Sequence, residues 1–561
     1  MPIRPSGHKR FLQEDVKSNS SSRSASRVRT PKVDGEENGS LDVNFQSIEE
    51  LLTMKLESLQ SLLEKQGLQE ESTLTGNSDA QDHKQKSISH LNQARIQSGL
   101  TTINDIIHSL SMSRTEVSSQ SREMLLAQLY KLIVSKPLVV YNEEHAGTSS
   151  YVSDDKVLEL IKVLTSGDYR SPSEFLLLFR SCIALLASDI EEFGDLISPE
   201  FLNLIQKLIQ DPTTQNVNSE NKASVITGST ALLMILHNGS SSYGIDDRVT
   251  SLIELSEGYS ASSNTLTAQL KSGEREHSTF FAEEVDKKIV NDSVSQANSE
   301  AAVAIAALHA AGCLLTLFER GDYLNDYVAD TMPKLVALVD NDNIEIAKAA
   351  GRVIALCYEI FTYDNSGDAD DESEYNDNSP YYEQEELTAI IERLANFSTH
   401  KITKKSKKET HSIFRDILNT ITNYTTYDKR IEILKKSPEG VEIINSLMDS
   451  NYIKLSKSRS LSINSWFLYL RLIHLKWCFS FGVHNQLVSN DSIRDILKEP
   501  PTDYQLKYGG NDTFADEDYD DSFNTSGLSD KFANDDKKRT EQIRKARVNK
   551  LAETINDLEI K

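Results

Sequence analysis

Cysteine is scarce in this chain. Four residues in 561 (Cys182, Cys313, Cys357 and Cys478) are scattered with no CxxC spacing. That pattern builds no disulfide framework and fits a reducing compartment. Apolar residues make up only 38% and aromatic residues 7%, little for a single compact globule, so polar segments must dilute a folded core. Positive charge is also in deficit: 60 Lys and Arg against 85 Asp and Glu give a formal net charge of -25. Non-specific nucleic-acid binding by the whole surface is thereby excluded. A local basic patch is not, because charges more than roughly 8–10 Å apart are screened from one another at physiological salt. The start, MPIRPSGHKRFLQ, lacks an apolar signal-peptide centre, and no uninterrupted apolar run reaches membrane-spanning length. The expectation is a soluble protein that meets no membrane.

Catalytic signatures are missing too. There is no P-loop, nucleophile elbow, HExxH or glycine-rich dinucleotide turn. Carboxylates concentrate in polar runs, where nothing would perturb their pKa values. His474 and Cys478 stand four apart on a predicted helix and could share a metal, but no further ligands follow in a matching pattern. A core thiol beside a partly exposed histidine is the commoner arrangement. No enzyme, cofactor, metal or small-molecule substrate is expected.

What is present is mostly helix. Residues 1–45, with SSSRSASRVRTPK at their centre, have too few apolar groups to offset ordering entropy and read as a disordered arm. The arm is either a phosphorylatable basic segment for RNA, import receptors or partners, or a plain solvated tail. SIEELLTMKLESLQSLLEKQ (47–66) carries one apolar stripe and is expected to dock on the adjoining core. From about 88 to 362 helix follows helix. The spacing predicts helices over Ser121–Ser135, Asp154–Thr165, Ser173–Ile190, Pro199–Gln210 and Glu220–His237. Ala301–Glu319 is apolar nearly all round and should be buried between neighbours. LIQKLIQD before KASVITGSTALLMIL resembles MPKLVALVD before IEIAKAAGRVIALCYEI, each second helix having a central glycine, Gly228 or Gly351. Glycine there lets two helices approach closely. The fold class expected is all-α, an α-solenoid of armadillo or HEAT type spanning 46–400, with an acidic insertion at 364–386.

Residues 401–501 read as a C-terminal domain. KITKKSKK places Lys401, Lys404, Lys405, Lys407 and Lys408 within eight residues, and Arg415 follows. Such a run is a phosphate-contacting patch, an import signal or a solvated linker. His411–Thr422 is predicted as an amphipathic helix, and Asn464–Phe481 as a strongly apolar one holding Trp466 and Trp477, interrupted by Arg471, His474 and Lys476. Asn490 or Asp491 should cap a last short helix. Residues 502–536 form an acidic tether. The tail 537–561 gathers Lys537, Lys538, Arg539, Arg544, Lys545, Arg547 and Lys550 ahead of Glu553, Asp557 and Glu559. As a helix it would oppose its own macrodipole and gain most from a polyanion.

KKxxxxSIFRDIL (Lys407, Lys408, Ser412, Phe414, Arg415, Asp416), the tryptophan helix and GVHNQLVSNDSIRDIL together resemble the interferon-related developmental regulator family. The resemblance implies a non-enzymatic regulator with an armadillo-like fold, linked to ribosome binding that restrains translation and to transcriptional co-regulation. The first expectation is therefore a cytoplasmic protein whose basic segments, with Arg471, meet rRNA phosphates on the ribosome. The alternative is a nuclear co-regulator that holds partner peptides in the solenoid groove.

Overall fold

The computed structural model describes residues 50–58, 102–114, 117, 119–136, 138, 151–210, 219–239, 244–277, 284–363, 379–396, 404–435, 451–454 and 460–498. Residues 1–45, 502–536 and 537–561 lie outside them, as do 364–378 of the acidic insertion. The described helices belong to one compact unit, Gly39–Lys561.

Apolar patterning sorts the helices into layers. One row consists of α3 (Ser119–Ser135), α5 (Pro172–Ser188), α8 (Ser219–Leu236), α10 (Glu284–Leu315), α12 (Ile344–Ile360) and α14 (Lys404–Thr425), each packed on the next. Beside them lie the flanking helices α2 (Ile103–Ser111), α4 (Asp154–Thr165), α7 (Pro199–Gln210), α9 (Ile245–His277), α11 (Asp322–Val339) and α13 (Gln384–Ala395), each against a partner in the row. The flanking helices α4 and α7 bury a single stripe (Val157, Leu160, Ile161 and Leu164 in α4) and leave the rest wet. The row helices are enclosed. Every residue of α5 from Glu174 to Ser188, and of α12 from Ile346 to Ile360, is buried. In α10 the stretch 291–315 is apolar and long enough to cross a membrane, but most of it is inside the protein, where α8, α9 and α12 cover it. A short helix at 50–58 (α1) adds Leu52 to the core, as its stripe predicts.

The centre is α16 (Trp466–Phe479), in which only Lys476 escapes burial. It packs on α5, α8, α10 and α12 together. Glycines allow this close packing, and Gly228 is one that the sequence pattern singled out: a Cβ on it would lie 2.5 Å from the Trp477 ring. One on Gly312 would lie 2.8 Å from Leu470, and one on Gly351 2.8 Å from Ile417 of α14. The inward faces of α5, α8, α10 and α12 are thus covered by the chain's own helix. α14 and α16 complete the core of the upstream helices. Two strands, β1 (Asn451–Lys454) and β2 (Ser460–Ile463), pair antiparallel just before α16, with Asn451 opposite Ile463, a hairpin the all-helical reading did not foresee. Short helices α6 (Ile190–Phe193) and α15 (Tyr427–Lys435) follow α5 and α14, and α17 (Val483–Ser489) and α18 (Asp491–Asp495) follow α16, where Asn490 caps α18 by accepting from Ile493 N.

A buried helix needs partners for its terminal N–H and C=O groups. At the N-terminus of α16, Ser465 Oγ accepts from Leu468 N, and the buried Glu359 carboxylate of α12 accepts from Trp466 N (2.9 Å) and Phe467 N (3.0 Å). At the other end, Arg180 of α5 donates to Trp477 O (2.6 Å) and Tyr130 of α3 donates its hydroxyl to Cys478 O (2.9 Å). Anion at the start and cation at the finish both suit the helix dipole. Replacing Glu359→Ala orphans two buried donors and should cost roughly 2–4 kcal/mol. Urea denaturation measures this, and an unchanged midpoint would mean the cap contributes nothing.

Candidate nucleic-acid interface

α14 begins inside the lysine run, seven residues earlier than the predicted start at His411. Its apolar positions Ile413, Phe414, Ile417, Ile421 and Tyr424 are buried against α12 and α13. Thr420 accepts a 2.8 Å hydrogen bond from Trp466 Nε1, which ties the helix to α16. Burying that side turns the opposite one outward. Lys404, Lys405, Lys407 and Lys408 occupy the first turns, with no acidic residue in the first turn to offset them. Like charge at the positive end of a helix dipole is unfavourable, and a polyanion would relieve it. Lys407 is half-buried, whereas Lys408 and Arg415 are exposed. Glu409, the one acid among these lysines, lies 3.9 Å from Lys348, a buried lysine of α12 that also pairs with Glu345 at 2.8 Å.

Of the other expected site residues, Lys401, Lys537, Lys538, Arg539, Arg544, Lys545, Arg547 and Lys550 fall outside the described residues. Arg471 requires a correction. It is buried in α16, donates to Thr316 Oγ1 and O, Asn238 Oδ1 and Ile496 O at 2.8–3.0 Å, and stacks on Phe467. Its guanidinium knits α16 to the ends of α10 and α18 and has no surface to offer a phosphate.

The histidine–cysteine pair is corrected as well, since His474 is wholly buried and not partly exposed. Its Nδ1 lies 2.7 Å from Leu470 O. Burial lowers its pKa to about 4, only partly offset by that bond, and raises the Cys478 thiol to about 12. A thiolate–imidazolium pair needs the opposite shifts. Burial likewise pushes Cys182, Cys313 and Cys357 up to about 12. Among the described residues no group of three or more His, Cys, Asp and Glu could hold a metal.

Sequence reasoning missed the residues that organise the interior: Glu359, Arg180, Arg352 and Glu174. Their signal was present, a lone charge inside an apolar run, as in FLLLFRSCIALL and VIALCYEIF. Such a charge has to meet a partner on another element. Glu174 shows this: burial alone would raise its pKa, but hydrogen bonds from Arg114 (3.1 and 3.2 Å) and Arg122 (2.8 Å) hold it below the ordinary value.

The class is a stacked-helix protein built around an internal helix, with a basic helix face at one edge of the row. The model of the family "Interferon-related developmental regulator (IFRD)" matches residues 70–422, more than half of the sequence, and the chain belongs to that family. A mouse (Mus musculus) relative, "Interferon-related developmental regulator 2", is 24% identical over 192 residues, which cover 34% of this chain and 36% of that protein. The chain thus spans about a third of the length of this curated relative. The matched family region includes the lysine run and SIFRDIL but stops before α16 and GVHNQLVSNDSIRDIL. Membership suggests a regulatory protein.

His309 and His474 give a pH signature. Burial lowers both, and for His309 the neighbouring Arg352 guanidinium, 3.3 Å from Nε2, lowers it further. The unfolded chain takes up protons near the ordinary 6.5 while the folded chain does not, so stability is full above pH 6.5 and falls as pH drops towards 4. His474 alone should account for roughly 3 kcal/mol across that window. Urea midpoints between pH 7.5 and 4.5 should fall in the wild type and fall less in His474→Gln. Superimposable profiles for the two proteins would contradict this.

Proposed function

We propose that this chain is a non-enzymatic regulatory binding protein of the cytoplasm, an armadillo- or HEAT-like helical stack that docks on the ribosome through rRNA phosphates and so restrains translation. The observation that carries the reading is α14. It is anchored by its apolar face, and it sets Lys404–Lys408 and Arg415 on a rigid scaffold in a chain that is otherwise strongly acidic. Family membership supports a regulatory role. The basic tail, Lys537–Lys550, would add a second set of phosphate contacts.

Sucrose-gradient sedimentation tests the proposal. The wild type should travel with ribosomes at low salt and be released as salt rises. Replacing Lys404, Lys405, Lys407 and Lys408 by Gln should weaken association and flatten its salt dependence, by up to roughly 3 in the slope of log affinity against log salt. A wild type that stays at the top of the gradient at low salt overturns the reading.

A further inference from the structure

On α14 the residues at 408, 412, 415 and 419 are separated by steps of four, three and four, so they lie in one row along the helix. Lys408, Arg415 and Asn419 are exposed and Ser412 is half-exposed. Among the described residues the row itself carries no carboxylate: Glu409 is turned towards Lys348, and Asp416 is half-buried and, like Lys408, engaged in an interaction of its own. Two of its members are neutral hydrogen-bonding groups of an unusual kind for this helix. The hydroxyls of Thr420, Thr422 and Thr425 each donate to the carbonyl four residues back. Ser412 and Asn419 make no side-chain hydrogen bond among the described residues, which leaves a hydroxyl and an amide facing outward between and beyond two cations. The helix beneath them is held by the buried Phe414, Ile417 and Ile421 and by the Thr420–Trp466 bond, so the row is preorganised. A step of four residues advances about 6 Å along the axis, close to the interval between successive phosphates of a nucleic-acid strand, and Lys408 and Arg415, seven residues apart, stand about 10.5 Å from one another.

We propose that this row is a track for the sugar–phosphate backbone of a single nucleic-acid strand. Lys408 and Arg415 neutralise phosphates, and Ser412 and Asn419 hydrogen-bond the oxygens adjoining them. The track rests on the ribosome-docking reading and assigns two residues that charge patterning alone does not find. Its row of about 16 Å serves one strand, and a duplex would need a second such row. The two kinds of contact differ in their salt signature. A cation that meets a phosphate releases counterions and contributes to the salt slope, whereas a neutral hydrogen bond contributes affinity at every salt concentration.

The test is anisotropy titration of the full chain with a 12-nucleotide single-stranded RNA and with the same RNA as a duplex, over a range of KCl. The Ser412→Ala/Asn419→Ala double variant should bind the single strand roughly tenfold more weakly with an unchanged slope, and should keep the wild-type melting temperature because both groups are outward. The Lys408→Gln/Arg415→Gln variant should lose about 1.4 from the slope of log affinity against log salt. If the wild type binds and the Ser412/Asn419 variant matches it, or if the wild type prefers the duplex, the track is overturned while ribosome docking stands. If the wild type binds neither RNA nor ribosomes, both fall.

Discussion

A helix placed wholly inside a protein must find partners for the polar groups at both its ends, because water cannot reach them. That requirement governs α16. Glu359 answers at its start, and Arg180 with Tyr130 at its finish. These residues come from three helices spread over more than two hundred positions of sequence. The order in which the row helices stack is therefore registered by a helix that arrives near the end of the described chain. Arg180 is itself sandwiched between the Tyr130 and Trp477 rings, which gives a buried cation the faces of two aromatics in place of water.

The same requirement explains the small residues. For Glu359 and Arg180 to reach opposite ends of one helix, α16 must lie close against α8 and α10, and only glycine at 228 and 312 leaves room for Trp477 and Leu470. It also bears on where the family resemblance ends. The matched region closes at 422, inside α14, and the helix that fills the centre begins at Trp466. A chain ending at the family boundary would leave the inward faces of α5, α8, α10 and α12, which α16 covers, open to solvent. At the rim, α14 turns Lys408 and Arg415 outward without disturbing the interior.

Much of this was legible in the sequence wherever periodicity alone decides. Asp154–Thr165 and Pro199–Gln210 fold as helices with the bounds their patterns imply, since an apolar stripe runs the length of each. Helices with polar ends were cut short. α10 starts at Glu284 and not near Ala301, because its Ser- and Asn-bearing first half has no long apolar stripe to detect. α14 starts within the lysines, whose mutual repulsion argued for a linker. The strands at 451–463 were too short to register against their surroundings. Arg471 shows what composition cannot decide. An arginine inside an apolar helix is either a surface group on a wet face or a buried tie, and only the presence of Thr316, Asn238 and Ile496 around it settles which. The basic face of α14 was visible as a lysine run, but the neutral members of its row were not, because the face that Ser412 and Asn419 share with Lys408 and Arg415 shows only once the helix is known to extend back to Lys404.

The central claim, that α16 is the element on which the rest is assembled, is tested most directly by native-state hydrogen exchange followed by mass spectrometry. Peptides covering 466–479 should exchange only through global unfolding, with the same protection free energy as peptides from α8 and α12. Exchange of 466–479 ahead of α8 and α12 would contradict the account, since those helices would then hold together with their centre open.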